Sequence, residues 1–139
     1  MYLSYEEYIS YGGTLDETTF NDLEFEASAV VDWYTFNRLK NDTQYPEALK
    51  RCMYKLIQYI IAQQQASGLS DANTSSGGVA AGIASQSNDG VSISYNLLSA
   101  RDIVENSKAQ MAQIINQYLS AVVNSLGRKV LYRGLYPNE

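Results

Sequence analysis

Histidine is missing from the 139 residues, and cysteine occurs once, at Cys52. A single thiol cannot close an intrachain disulfide, and without histidine no mixed Cys/His zinc site can form. The commonest general base is missing as well. Cys52 sits in an apolar helical stretch, where a lone thiol reads as a small core residue rather than a nucleophile. No run of 18 apolar residues occurs, so the sequence offers no membrane-spanning helix and no membrane partner is expected. The opening Met1-Tyr2-Leu3-Ser4-Tyr5-Glu6 has neither the basic start nor the apolar stretch of a secretory signal. The protein is therefore expected to be made and kept in a cytoplasm.

Charge of one sign is also missing locally. Residues 1–37 carry Glu6, Glu7, Asp16, Glu17, Asp22, Glu24, Glu26 and Asp32 but no base. Residues 38–55 carry five bases against two acids, and residues 101–139 five bases against three acids. A net charge of −5 without a continuous basic stripe argues against a tight nucleic-acid reader. The acidic third is either a solvated helix face or a surface that meets a basic partner and repels DNA.

What is present is mainly helical pattern. Ser4 and Glu7 form a capping box, after which Tyr5, Tyr8 and Tyr11 share a face until Gly12-Gly13. These tyrosines are read as pinning the helix to the core, with hydroxyls at its edge. A second box, Thr14 with Glu17, precedes Phe20, Leu23, Ala27, Val30 and Tyr34, an apolar stripe running to about Arg38-Leu39-Lys40. Pro46 suits the first turn of a third helix, with Leu49, Met53, Leu56 and Ile60 widened by Cys52, Ile57 and Ile61, ending near Ser67-Gly68. Residues 67–90 hold five of the nine glycines and six serines. A flexible loop over 68–78 is expected there, then a β-hairpin over 79–95. In that hairpin Val91, Ile93 and Tyr95 alternate with serines after the turn signal Asn88-Asp89-Gly90. An isolated hairpin is marginal in water and wants a neighbour.

Ser99 caps a fourth helix expected over about 100–126, roughly 40 Å long. Its stripe is Val104, Met111, Ile115, Tyr118, Val122 and Leu126, closed by Gly127. The remainder, from Arg128 onward, is basic and rich in β-formers and aromatics. It either folds back on its own domain or docks on another protein. The fold class expected is thus mainly α: a small bundle of about four helices with a protruding β-hairpin and an extended C-terminal tail. A domain over 1–127 would carry a separable tail at 128–139.

Chemistry is sparse. No Gly-rich phosphate loop occurs, since Gly77-Gly78 and Gly82 precede no Lys-Ser or Lys-Thr. The carboxylate pairs Glu6-Glu7 and Glu24/Glu26 diverge on helices. Serines abound, but an activating base other than lysine is missing. No catalytic residue, cofactor or metal ligand is assigned from the sequence.

The order of these pieces resembles small head–tail connector proteins of tailed bacteriophages. The resemblance is carried by Tyr2-Leu3-Ser4-Tyr5-Glu6-Glu7-Tyr8 followed by Gly12-Gly13-Thr14-Leu15-Asp16-Glu17, and by Leu23 through Leu39 around Asp32-Trp33-Tyr34. It continues in Ser85 through Tyr95 and in the ending Leu131-Tyr132-Arg133-Gly134. It implies a non-enzymatic virion protein forming an adaptor ring of about twelve copies beneath the portal. The ring would continue the DNA channel and offer a docking face to the next neck or tail protein, passing DNA without sequence-specific binding. It further implies portal docking through Val130, Leu131, Tyr132, Arg133, Leu135 and Tyr136. Asn88, Asp89, Val91, Ile93 and Tyr95 would contact a neighbouring subunit or the next ring. The acidic first third and the basic 38–55 segment would supply complementary faces between subunits. The alternative is a soluble helical protein-binding module, such as an assembly chaperone or small regulator, absent from the finished particle.

Overall fold

The computed structural model describes residues 1–75, 85–88, 91–94 and 100–137, and is mainly helical. Four helices occur among the described residues: α1 (Tyr5–Ser10), α2 (Glu17–Tyr34), α3 (Glu47–Ser75) and α4 (Ala100–Leu119). Strands β1 (Ser85–Asn88) and β2 (Val91–Ser94) pair antiparallel, with Ser85 opposite Ser94 and Asn88 opposite Val91. Asp89, Tyr95 and residues 79–84 of the expected hairpin lie outside the described residues. The chain divides into two compact units, one of Met1–Ile60 with Ala109–Glu139, the other of Ile61–Lys108.

The first unit holds the core. Ser4 Oγ accepts from the Glu7 amide at 3.3 Å, and the Ser4 amide donates to the Glu7 carboxylate at 3.1 Å, which starts α1 as its capping box requires. The Tyr8 ring is fully buried, its centroid 4.8 Å from Phe20 and 5.7 Å from Tyr54. The Tyr5 hydroxyl donates to the Leu15 carbonyl at 3.0 Å and the Tyr11 hydroxyl to Glu47 at 2.8 Å. The tyrosines thus pin the helix by rings and satisfy their hydroxyls at the rim. At Gly12 the backbone turns left-handed, at φ +93°.

Helix α2 starts two residues later than its capping-box pattern suggested. Asp16, not Thr14, is the N-cap and accepts from the Thr19 amide at 3.0 Å, while the Thr14 amide is taken by the Tyr8 hydroxyl at 3.3 Å. The helix buries Phe20, Leu23, Ala27 and Val31. It also ends earlier than expected, at Tyr34. Thr35 turns its hydroxyl back to the Val31 carbonyl at 2.8 Å, and Phe36 and Asn37 then both adopt left-handed backbone, φ 55° and 58°. That conformation is uncommon for a bulky residue, and two in succession break the helical ladder.

Helix α3 matches its broad stripe, burying Leu49, Cys52, Met53, Leu56, Ile57 and Ile60. It continues through Gly68 to Ser75 instead of stopping near residue 67. Helix α4 is shorter than expected, 20 residues, or roughly 30 Å. Of its stripe Ile115 is buried, as is Leu119 beside it, whereas Val104 is exposed. Beyond Leu119 the chain leaves the helix, buries Val122, and returns through a single antiparallel bridge between Val123 and Lys129. Asn124 makes the turn, since its Oδ1 accepts from the amides of Leu126 and Arg128 at 3.1 and 2.9 Å. Leu126, expected on the apolar stripe, is 69% exposed on that turn.

The tail is therefore not extended. Val130 is completely buried in the core of the first unit, a burial that stabilises by about 1.5–3 kcal/mol. Its amide donates to the Val122 carbonyl at 3.2 Å. A segment with this many apolar and β-forming residues gains more by covering its own core than by staying solvated.

Candidate interaction surfaces

The tail is fastened by the α2–α3 connection. Arg38, 9% exposed, reaches from that loop across the returning chain. Its guanidinium donates to the Tyr132 carbonyl and, at 2.7 Å, to the Gly134 carbonyl, with longer approaches to the carbonyls of Val130 and Lys129 at 3.4 and 3.5 Å. The guanidinium also lies 5.1 Å from the Phe36 ring and 5.0 Å from that of Tyr136. The planar fork suits this work, because its donors diverge toward several carbonyls at once. Asp42 adds a second fastening, accepting from the Ser125 amide at 3.2 Å, and Asn124 Nδ2 donates to the Arg38 carbonyl at 3.3 Å. The Tyr136 hydroxyl accepts from the Lys129 amide at 2.9 Å.

This fastening sorts the residues assigned to portal docking. Val130 is spent inside the unit and offers no surface, a correction to that assignment. Leu131 and Tyr136 are half-buried. Tyr132, Arg133 and Leu135 are exposed, Leu135 to 86%. The structure thus holds three of the six outward on a backbone tied down at Tyr132 and Gly134. Of the hairpin set, Asn88, Val91 and Ile93 lie on paired backbone, with Gln86 opposite Ile93. Asp89 and Tyr95 are outside the described residues.

The basic 38–55 segment is largely used within the chain. Arg38 holds the tail, Lys50 pairs with Glu7 of α1, and Arg51 pairs with Glu47 at 3.0 Å and lies over the Tyr11 ring. The Lys50 ammonium beside it holds the Glu7 carboxyl below its usual range, helped by the Ser4 amide. A complementary subunit face made from this segment would have to compete with those partners.

A second surface was not anticipated. The outward arc of α2 shows Phe25, Ala29 and Trp33, spaced by four, with Phe25 76% and Trp33 72% exposed. Asp22 and Glu26 are exposed on the same arc. Beside Phe25 and Ala29 lies an open cavity of about 350 Å³, walled by Tyr2 and Tyr45 with Asp32 and Lys40 at its edge. The chain's first residues form that wall because α2 holds them. The amides of Tyr2 and Leu3 donate to buried Glu24 at 2.7 and 3.5 Å, and Ser28 Oγ donates to the same oxygen at 2.8 Å. The Tyr2 hydroxyl donates to Asp32, and burial together with that carboxylate pushes its ionisation well above the ordinary tyrosine value. The signal for the surface was in the sequence: Phe25 and Trp33 are large apolar residues standing off the Phe20–Leu23–Ala27 stripe. Glu24 could be suspected in turn, since it stands beside Leu23 on the buried side.

Cys52 is buried, and desolvation pushes its thiol up to about 12, far from a thiolate nucleophile at neutral pH. Among the described residues no three Cys, Asp or Glu side chains gather as a metal site, and no helix is long and apolar enough to cross a membrane.

Comparison with protein-family models, with curated proteins and with solved structures finds no match. The functional reading therefore rests on the chain's own residues and surfaces.

Proposed function

We propose that the chain is a non-catalytic assembly subunit of the virion neck, a connector that docks on the portal, forms a ring there and continues the DNA channel between head and tail. The observation that carries the reading is the outward display of Tyr132, Arg133 and Leu135 on a segment clamped by Arg38. Apolar side chains held outward on a clamped backbone give a docking protein a pre-ordered contact that costs little ordering entropy. The ordered resemblance of the sequence to phage connectors supports the same reading. A protruding hairpin built on β1 and β2 belongs to this proposal as the contact to a neighbour or to the next ring, with its strand edges covered on assembly. A net acidic chain suits a channel that passes DNA without gripping it.

Electron microscopy of the chain mixed with its portal tests the proposal: an added ring is expected, and a bare portal refutes it. Leu135→Asp with Tyr132→Ser is the informative variant, because deletion of the tail would also remove Val130 from the core. It is expected to fold and to leave the portal bare. The alternative, a helical binding module absent from the finished particle, would use the same exposed patches on another protein. Mass spectrometry of purified virions separates the two.

A further inference from the structure

We propose that the acidic outer face of α2 is the seat for the basic tail segment of a second copy of this chain. The proposal deepens the assembly reading and rests on it.

Two surfaces of the first unit are complementary in charge and both are rich in exposed apolar side chains. Helix α2 carries Glu17, Asp22, Glu24, Glu26 and Asp32 and no base. Glu24 is buried, and Asp32 is engaged by the Tyr2 hydroxyl and lies 3.9 Å from Lys40. Asp22 and Glu26 therefore set the charge of the outer arc. Phe25 and Trp33 flank it about 12 Å apart along the helix, with small Ala29 between them. Two rings around a small residue leave a recess that a protruding side chain can enter.

Residues 126–137 carry Arg128, Lys129 and Arg133 and no acid. Lys129 and Arg133 are exposed, next to exposed Leu126, Tyr132 and Leu135. Within one chain neither surface covers the other, since Phe25, Trp33 and Leu135 all stay open. Of the other basic stretch, Arg38, Lys50 and Arg51 are engaged internally, while Lys40 and Lys55 stay exposed. Among the described residues the tail edge is where exposed cations stand beside exposed large apolar side chains, which suits it to the acids and rings of α2. Rings facing Leu126 supply the apolar centre, and Asp22 and Glu26 facing Lys129 fix orientation, which leaves Tyr132, Arg133 and Leu135 to the portal contact. Because two different patches meet, the contact is head-to-tail, and it propagates from copy to copy until rotation closes it.

The test mixes ¹⁴N- and ¹⁵N-labelled full chains and couples carboxylates to amines with a zero-length carbodiimide at low salt. Mixed-isotope peptides joining Lys129 to Asp22 or Glu26 are expected, fading at about 0.5 M salt as screening shortens the reach of the charges. Two reversed variants extend the test, Asp22→Lys with Glu26→Lys and Lys129→Glu. Each alone is expected to associate at least about tenfold more weakly than the parent in sedimentation. An equal mixture of the two is expected to regain association, because every α2 face then meets a tail of opposite charge. A parent chain that stays monomeric up to about 1 mM, cross-links between other residues, or a mixture that does not regain association overturns the proposal. None of these results touches the neck reading, which virion mass spectrometry and portal mixing decide separately.

Discussion

Replacing Arg38 with methionine tests what holds the tail in place. The guanidinium makes two close contacts, to the carbonyls of Tyr132 and Gly134, the second at 2.7 Å. Its approaches to Val130 and Lys129, at 3.4 and 3.5 Å, are long enough to add little. A hydrogen bond from a charged donor contributes about 1.5–3 kcal/mol, so the two close bonds together reach about 3–6 kcal/mol. Methionine recovers part of this. It keeps the aliphatic packing of the arginine stem, and the cost of burying a cation disappears. The net loss for the tail is then about 2–3 kcal/mol, which multiplies its opening equilibrium by about 30–150. Amide hydrogen exchange reads this directly. The Val130 amide, bonded to the Val122 carbonyl, and the Asn124 amide, bonded to the Arg128 carbonyl, should exchange faster by that factor. Amides in the middle of α3, such as those of Leu56 and Ile57, should be unaffected. Lysine at position 38 should fall between the two, since a point charge reaches one carbonyl where the fork reaches two. Unchanged protection at Val130 and Asn124 in Arg38→Met would refute the reasoning and leave Val130 burial and the Asp42–Ser125 fastening as the anchors.

Gly13→Ala should cost about 1–3 kcal/mol in denaturant unfolding, because a Cβ there would run into the fully buried Tyr8 ring, which has nowhere to go. Ile115→Ala should cost about 2–5 kcal/mol, whereas Leu126→Ala, on the same expected stripe but exposed, should stay within about 0.5 kcal/mol. Equal losses from the two would restore the longer α4. Stability should fall as pH rises beyond 10.0, the ordinary tyrosine value, because the unfolded chain then ionises Tyr2 while the folded chain, with burial and Asp32 against the phenolate, keeps the proton. Tyr2→Phe should flatten that alkaline fall, measured by thermal unfolding across the range. At the acid end the depressed Glu7 carboxyl stabilises the fold above its ordinary value of 4.5, and this contribution should fade as pH drops through the lower folded-state value. Glu7→Gln should remove that part of the acid sensitivity.

Local signals were the legible ones. The Ser4/Glu7 box, the tyrosine face, the Pro46 start and the broad stripe of α3 all follow from neighbours within a turn or two, and the folded chain uses them as written. Thr14/Glu17 misplaced the start of α2 because Asp16 with Thr19 satisfies the same spacing, and the Thr14 amide goes to the hydroxyl of Tyr8, six residues back, instead of to Glu17. The ends of α2 and α4 were misread for a related reason. Periodicity runs on through Arg38 and Leu126, while α2 ends at the left-handed Phe36 and Asn37, and the chain beyond Leu119 is turned by Asn124, features that no stripe reveals. The tail was the least legible part. Its clamp joins Arg38 to Gly134, 96 positions away, and partners so distant leave no spacing to read. The unanticipated α2 surface shows the converse: Phe25 and Trp33 were visible as residues off the stripe, but only the fold shows that none of the described residues covers them.

The division of the chain sets an order of events. Ile61–Lys108 interrupts a unit whose first part ends at Ile60 and whose second begins at Ala109. As the ribosome delivers the protein, Tyr8, Phe20, Leu56 and their neighbours emerge well before Ile115, Leu119, Val122 and Val130, which complete the same core. At about 5–20 residues per second the nascent chain spends several seconds with that core incomplete. Closure joins segments separated by most of the sequence, which slows the search for the native pairing. The unfinished product thus exposes apolar surface until the segment from Ile115 to Val130 closes over it.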